Sequence, residues 1–226
     1  MKKIGFIGAY DKTDLMIYVA KILVENQKKI LIIDATTLQK SRYTVPCIAP
    51  SKYYITTYED IDIAVGFKSI DEIQNYLHDD KLDYDFVFVD TDDRDDYQNF
   101  ELKSSEKNFF VTGFDNYSLK RGLEIINNAE MEKQEMTKIL FSRDMSKVED
   151  EYLNFLSFYY PVKWNKQKIY FPYEVGDNSV IIDNQRNSKI SFKDFSQEYK
   201  DGIQEIVALV APDIKQANVK KILKNV

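Results

Sequence analysis

Short apolar runs alternate with amphipathic stretches along most of the chain. Residues 4–8, Ile4-Gly5-Phe6-Ile7-Gly8, form the first run, and uniform apolarity is what a strand buried on both faces of a parallel sheet requires. Residues 12–26 follow with Leu15, Val19, Ile22 and Leu23 at helical spacing, while Asp11, Thr13 and Asp14 suit the first turn of that helix. Residues 29–34 give a second buried strand. The rhythm breaks over 35–66, where 41–46 and 50–51 read as loop and 53–57 and 61–65 as short strands near a sheet edge. Ser69 with Glu72 forms a capping box that opens a helix over 69–77.

The clearest strand is 85–90, and the acidic run Asp90, Asp92, Asp93, Asp95, Asp96 reads as a solvated loop at its carboxyl end. A strand at 109–112, a helix from Asp115 or Ser118 to 127, a strand at 138–142 and a helix over 147–158 continue the alternation. A last strand is expected at 168–171. A helix over 196–211 carries Tyr199, Ile203, Ile206, Val207 and Val210 on one stripe. Strands alternating with helices predict one α/β domain over 1–226, a mostly parallel sheet with helices on both faces. Residues 213–226 form a lysine-bearing tail with Val219, Ile222, Leu223 and Val226 on one face, suited to docking on the domain rather than to lying in a membrane surface.

Composition narrows the function classes. At 226 residues and 44% hydrophobic the chain can bury a full core, and a net charge of −6 argues against a dedicated nucleic-acid binder. One cysteine, Cys47, cannot make an internal disulfide, and residues 1–4 open straight into a strand with no signal core, so a cytoplasmic protein is expected. With His78 the only histidine, neither a zinc site nor a histidine-dependent catalytic group is expected, and no catalytic residue is assigned.

Chemistry concentrates where the first strand turns into the first helix, since a helix N-terminus at that place receives phosphate. A loop of the form G-x-x-x-x-G-K-[ST] curls backbone amides around phosphate. Counted back from Lys12-Thr13, its glycine positions hold Phe6 and Asp11. A carboxylate at ~4 Å from a phosphate at an effective dielectric of ~20 costs several kcal/mol. The dinucleotide fingerprint G-x-G-x-x-G, started at Gly8, meets Tyr10 and Thr13 where glycines belong, though Asp34 could receive a ribose hydroxyl.

Four landmarks, in order, resemble the ParA/MinD family of deviant P-loop ATPases: the turn with Lys12-Thr13, the strand 31–36 ending near Asp34, the segment 84–91 (Tyr84-Asp85 to Asp90-Thr91), and 110–112 followed by Ser118-Leu119. The segment Phe171-Pro172-Tyr173 is similar to the family's base-contacting region. The resemblance implies a P-loop NTPase-like fold, with Lys12 the P-loop lysine, Thr13 a magnesium ligand, Asp34 the switch aspartate and Asp90 the Walker B acid, around Mg-ATP. The second, signature lysine of the family is missing. Thr36 replaces its second switch aspartate, Asp92-Asp93 replace its two prolines, and Ser142-Arg143 stands where a base-reading asparagine is common. These departures imply lost or reduced hydrolysis and a protein acting through protein partners, or as a homodimer, in positioning or assembling a larger machine; the pilus- and secretion-linked branch (CpaE/TadZ-like) is the nearest analogy. A working Mg-ATP switch and an NAD(P)-dependent oxidoreductase are the alternatives.

Overall fold

Eight strands make one sheet in the computed structural model, which describes residues 1–48, 51–127, 133–142, 147–172 and 174–226, with the side chains of 147–149 left aside. In chain order the elements are β1 (Lys2–Ile7), α1 (Thr13–Glu25), β2 (Ile30–Asp34), α2 (Ser41–Thr44), β3 (Tyr54–Tyr58), β4 (Ile61–Val65), α3 (Ile70–Leu77), β5 (Phe86–Thr91), α4 (Arg94–Asn99), β6 (Lys107–Thr112), α5 (Asn116–Ile126), β7 (Gln134–Ser142), α6 (Lys147–Leu156), β8 (Val162–Pro172), α7 (Val175–Asn187), α8 (Gln197–Val210) and α9 (Gln216–Asn225). The strand order is β3-β4-β2-β5-β1-β6-β7-β8. All neighbours run parallel except β3, which pairs antiparallel with β4 at the edge.

Successive strand residues feed two cores, as the period of two demands. Ile4, Phe6, Phe86 and Phe88 face α1, α8 and α9, where Leu15, Tyr18, Ile203, Val207 and Val219 pack. Ile7, Val87 and Val89 face the other layer, with Ile73, Tyr97, Leu119, Leu123 and Leu153. The tail helix α9 belongs to the first core: Val219 and Leu223 are buried and the Ser191 hydroxyl donates to the Val226 carbonyl at 3.0 Å. No described helix is long and apolar enough to cross a membrane.

The structure corrects the sequence reading at several elements. The acidic run is not a loop throughout: Asp93 caps α4, its carboxylate accepting from the amides of Asp95 at 2.8 Å and Asp96 at 3.4 Å, and the Asp96 carboxylate is buried against Lys68. Helix α7 was not expected, and β7 and β8 begin earlier than their apolar centres indicate. One helical turn, α2, interrupts the expected loop at 41–46. Ser69 does cap α3, accepting from Glu72 at 3.2 Å, but Glu72 reaches back to the amide of Lys68 rather than of Ser69. Pro50, Arg143 and Tyr173 lie outside the described residues.

Candidate functional site

The carboxyl ends of β1, β2 and β5 converge on a cavity of about 340 Å³ lined by Lys12, Thr13, Lys40, Asp90, Tyr117 and Arg121 among others. Gly8 makes the exit from β1 feasible: its φ of +143° suits glycine, and a Cβ there would lie 2.1 Å from the Val111 carbonyl oxygen. The chain then turns through Ala9-Tyr10-Asp11 into α1. Tyr10 stacks on Phe141 with ring centroids 4.5 Å apart, so its ring is part of the wall.

Lys12 is buried and faces inward. Its ammonium donates to the Gly8 carbonyl at 2.8 Å and the Tyr10 carbonyl at 3.4 Å, and lies 2.6 Å from Asp90 Oδ1. The contact with Asp90 is an ion pair by distance without the alignment of a hydrogen bond, since Oδ1 has no directed donor. Burial pushes the Asp90 carboxyl up to about 7; Lys12 opposes that shift and Asp34 adds to it.

The N-terminus of α1 already holds an anion. Asp11 Oδ1 accepts from the Thr13 amide at 3.2 Å and Oδ2 from Lys40 Nζ at 2.8 Å. Burial alone would raise the Asp11 carboxyl, but Lys40 and Thr13 outweigh it and hold the group below its ordinary value. A carboxylate therefore sits on a backbone donor at the position where a helix N-terminus receives phosphate.

Asp34 lies beside Asp90 in register but does not line the cavity. Its carboxylate accepts from Thr36 N at 3.0 Å, Thr36 Oγ1 at 2.6 Å and Ser41 N at 2.9 Å, which ties the loop after β2 to α2. Asp92 takes the amide and hydroxyl of Thr37 at 2.8 and 3.0 Å, and Arg121 approaches Asp93 at 3.6 Å. Lys12, Thr13 and Asp90 are thus brought together, whereas Asp34 is committed to the loop. Lys40, Tyr117 and Arg121 were not singled out in the sequence. Lys40 lies 29 positions from its partner Asp11, and no local pattern marks that pairing.

The strand order excludes the adjacency on which dinucleotide sites depend. There, strand one lies beside strand two, whereas here β5 separates β1 from β2. No family model and no curated protein sequence matches the chain. Solved structures do. A chain of a MinC:MinD cell division protein complex from Aquifex aeolicus aligns at 14% identity and a TM-score of 0.54, covering 92% of this chain and 96% of that one. A ParA family ATPase from Chlorobium tepidum aligns at 15% and 0.53, covering 98% and 95%. The chain has the ParA/MinD fold. A plasmid partition protein from Borrelia burgdorferi bound to AMPPNP shares that fold at 12% identity and a TM-score of 0.55, covering 98% and 97%. At such identities the ParA/MinD likeness concerns the sheet and its helices; the Asp11–Thr13–Lys40 arrangement belongs to this chain's own residues.

Proposed function

We propose that this ParA/MinD-fold protein has lost, or nearly lost, nucleotide hydrolysis and acts through protein contacts in positioning or assembling a larger complex. The observation that carries the reading is the Asp11 carboxylate on the Thr13 amide, held there by Lys40. A β-phosphate entering that position has to displace a salt-bridged carboxylate or sit against it. Lys12 meanwhile would have to leave Asp90 and two carbonyls to meet the ligand. Tyr43, Ile48, Phe155, Phe158 and Tyr159 are exposed and offer apolar surface for partners.

Thermal shift with Mg-ATP, Mg-ADP and NAD(P), followed by an ATP turnover assay, tests the reading. The expected result is an unchanged melting temperature with each nucleotide and no turnover above background. The second reading, a Mg-ATP-dependent dimerisation switch, draws on Lys12, Thr13 and Asp90 lining one cavity. Stabilisation by Mg-ATP that disappears in Lys12→Ala would replace the first reading with the second.

A further inference from the structure

A larger cavity, of about 800 Å³, opens further along the same edge of the sheet, beyond the end of β4. Phe67 is buried in its wall at 2% exposure, while Tyr53 and Tyr76 stand 51% and 43% exposed, so two ring faces remain available to a ligand. The three rings form one cluster: Phe67–Tyr76 at 5.3 Å, Tyr53–Phe67 at 5.6 Å and Tyr53–Tyr76 at 6.1 Å between centroids.

The wall is held in place by Arg42. Its Nε donates to the Gln39 side chain at 2.6 Å, Nη1 to the Ser51 carbonyl at 2.6 Å and Nη2 to the Lys52 carbonyl, and the guanidinium lies over the Tyr54 ring. Gly66, at φ +88°, lets β4 end beneath that segment, since a Cβ there would fall 2.3 Å from the Lys52 carbonyl oxygen. Lys52 and Tyr53 are thereby fixed on one side, and Phe67 and Tyr76 on the other.

Charge sets the ligand class. Arg42, Lys52 and Lys68 line the cavity against Glu72 alone, in a chain whose net charge is −6. Glu72 is engaged by the Lys68 amide at 2.7 Å, and the Lys68 ammonium by Asp96 at 2.9 Å. Among the described residues Lys52 forms no ion pair, which leaves an uncompensated cation in the lining that it shares with Tyr53 and Tyr76. We propose that this cavity binds a small planar aromatic molecule bearing a negative charge, its ring against Tyr53 and Tyr76 and its anionic group toward Lys52. Aromatic walls around a few placed polar groups are the usual make-up of small-ligand sites. A nucleoside monophosphate and an aryl carboxylate share this chemistry.

Amide chemical-shift mapping of the full chain, titrated separately with GMP, 4-hydroxybenzoate, guanosine and inorganic phosphate, tests the proposal. The expected result is saturable shifts at residues 52, 53, 67, 68 and 76 with at least one of the two aromatic anions, and binding about tenfold weaker for guanosine and for phosphate. The relative affinities of GMP and 4-hydroxybenzoate identify which source the cavity prefers. Tyr53→Ala and Lys52→Glu change exposed side chains and are each expected to weaken binding about tenfold. Absence of saturable shifts with both anions at millimolar concentration, shifts confined to residues 8–13 and 36–40, or unchanged affinity in both variants would overturn it. The mapping needs no variant to fold, and its result does not depend on whether Mg-ATP enters the first cavity.

Discussion

Lys12 and Asp11 are adjacent in sequence and do opposite work. Lys12 turns into the protein and neutralises Asp90, whereas Asp11 stays at the rim and is neutralised by Lys40. A third carboxylate, Asp14 in the first turn of α1, makes the balance pH-sensitive. Burial pushes Asp14 up to about 6; Gln185, which donates to both its oxygens at 2.9 and 3.0 Å, opposes that shift, and the Asp11 charge adds to it. A carboxyl whose folded pKa lies above its unfolded value binds protons more readily in the native state. Stability then falls as pH rises from about 4 to about 6 for Asp14, and to about 7 for Asp90. Asp11, and Asp150 of α6 between Lys138 and Lys168, are both held below their ordinary value and lose their stabilising charge only at lower pH. Thermal melts are therefore expected to show a higher melting temperature at pH 5.5 than at pH 7.5. Asp14→Asn is expected to be more stable than the parent by on the order of 1 kcal/mol at pH 7.5, the difference vanishing near pH 4. Gly8→Ala acts on backbone instead, and is expected to cost about 3 kcal/mol or more in urea unfolding, because the left-handed φ and the Val111 carbonyl leave no relaxed conformation.

Helices α7 and α9 flank α8 in the sequence and are held differently. Helix α9 buries Val219 and Leu223, so Leu223→Ala is expected to lower stability by about 2–3 kcal/mol, read as a lower urea midpoint with unchanged slope. With its apolar face covered by α1 and α8, the full chain and a 1–212 truncation are expected to pellet equally with anionic liposomes. Helix α7 fully buries only Asp177 and Asn184, sets Val180 and Ile181 half-buried against the first core, and is secured by Asn184 on the Tyr18 hydroxyl and Ser191 carbonyl, Gln185 on Asp14, and Asp177 on the amide and hydroxyl of Ser196. Hydrogen exchange is expected to open α7 well before β5, whose six residues are all buried. The same contrast explains what could be read beforehand. Strands β1, β2 and β5 are continuous apolar runs, and α8 carries a five-residue stripe, so periodicity finds them. Helix α7 has almost no apolar stripe, because Val180 and Ile181 dock it from adjacent positions and polar side chains do the rest, so periodicity passes over it. The first residues of β8, Val162–Trp164, pair with β7, but Lys163 and the polar stretch after Trp164 leave no apolar run there.

At the scale of the whole molecule, the sheet order places β1 between β5 and β6 and brings residues from positions 8–13, 36–40, 90–92 and 117–121 around one cavity. Lys12, Thr13 and Asp90 were readable there because each ends or follows an apolar strand. Lys40 was not, because only the folded chain sets it against Asp11; nor was the engagement of Asp34, which depends on the turn at α2. Within the ParA/MinD fold, the N-terminus of α1 thus holds the chain's own Asp11 carboxylate on the Thr13 amide, paired with Lys40. Calorimetric titration of Mg-ATP into the unmodified chain and into Asp11→Gly tests whether that carboxylate keeps nucleotide out, since the glycine places Gly-Lys-Thr at the start of α1. The expected result is no measurable heat with the unmodified chain and binding at least about tenfold tighter in Asp11→Gly. Micromolar binding by the unmodified chain, left unchanged or weakened by Asp11→Gly, would contradict it.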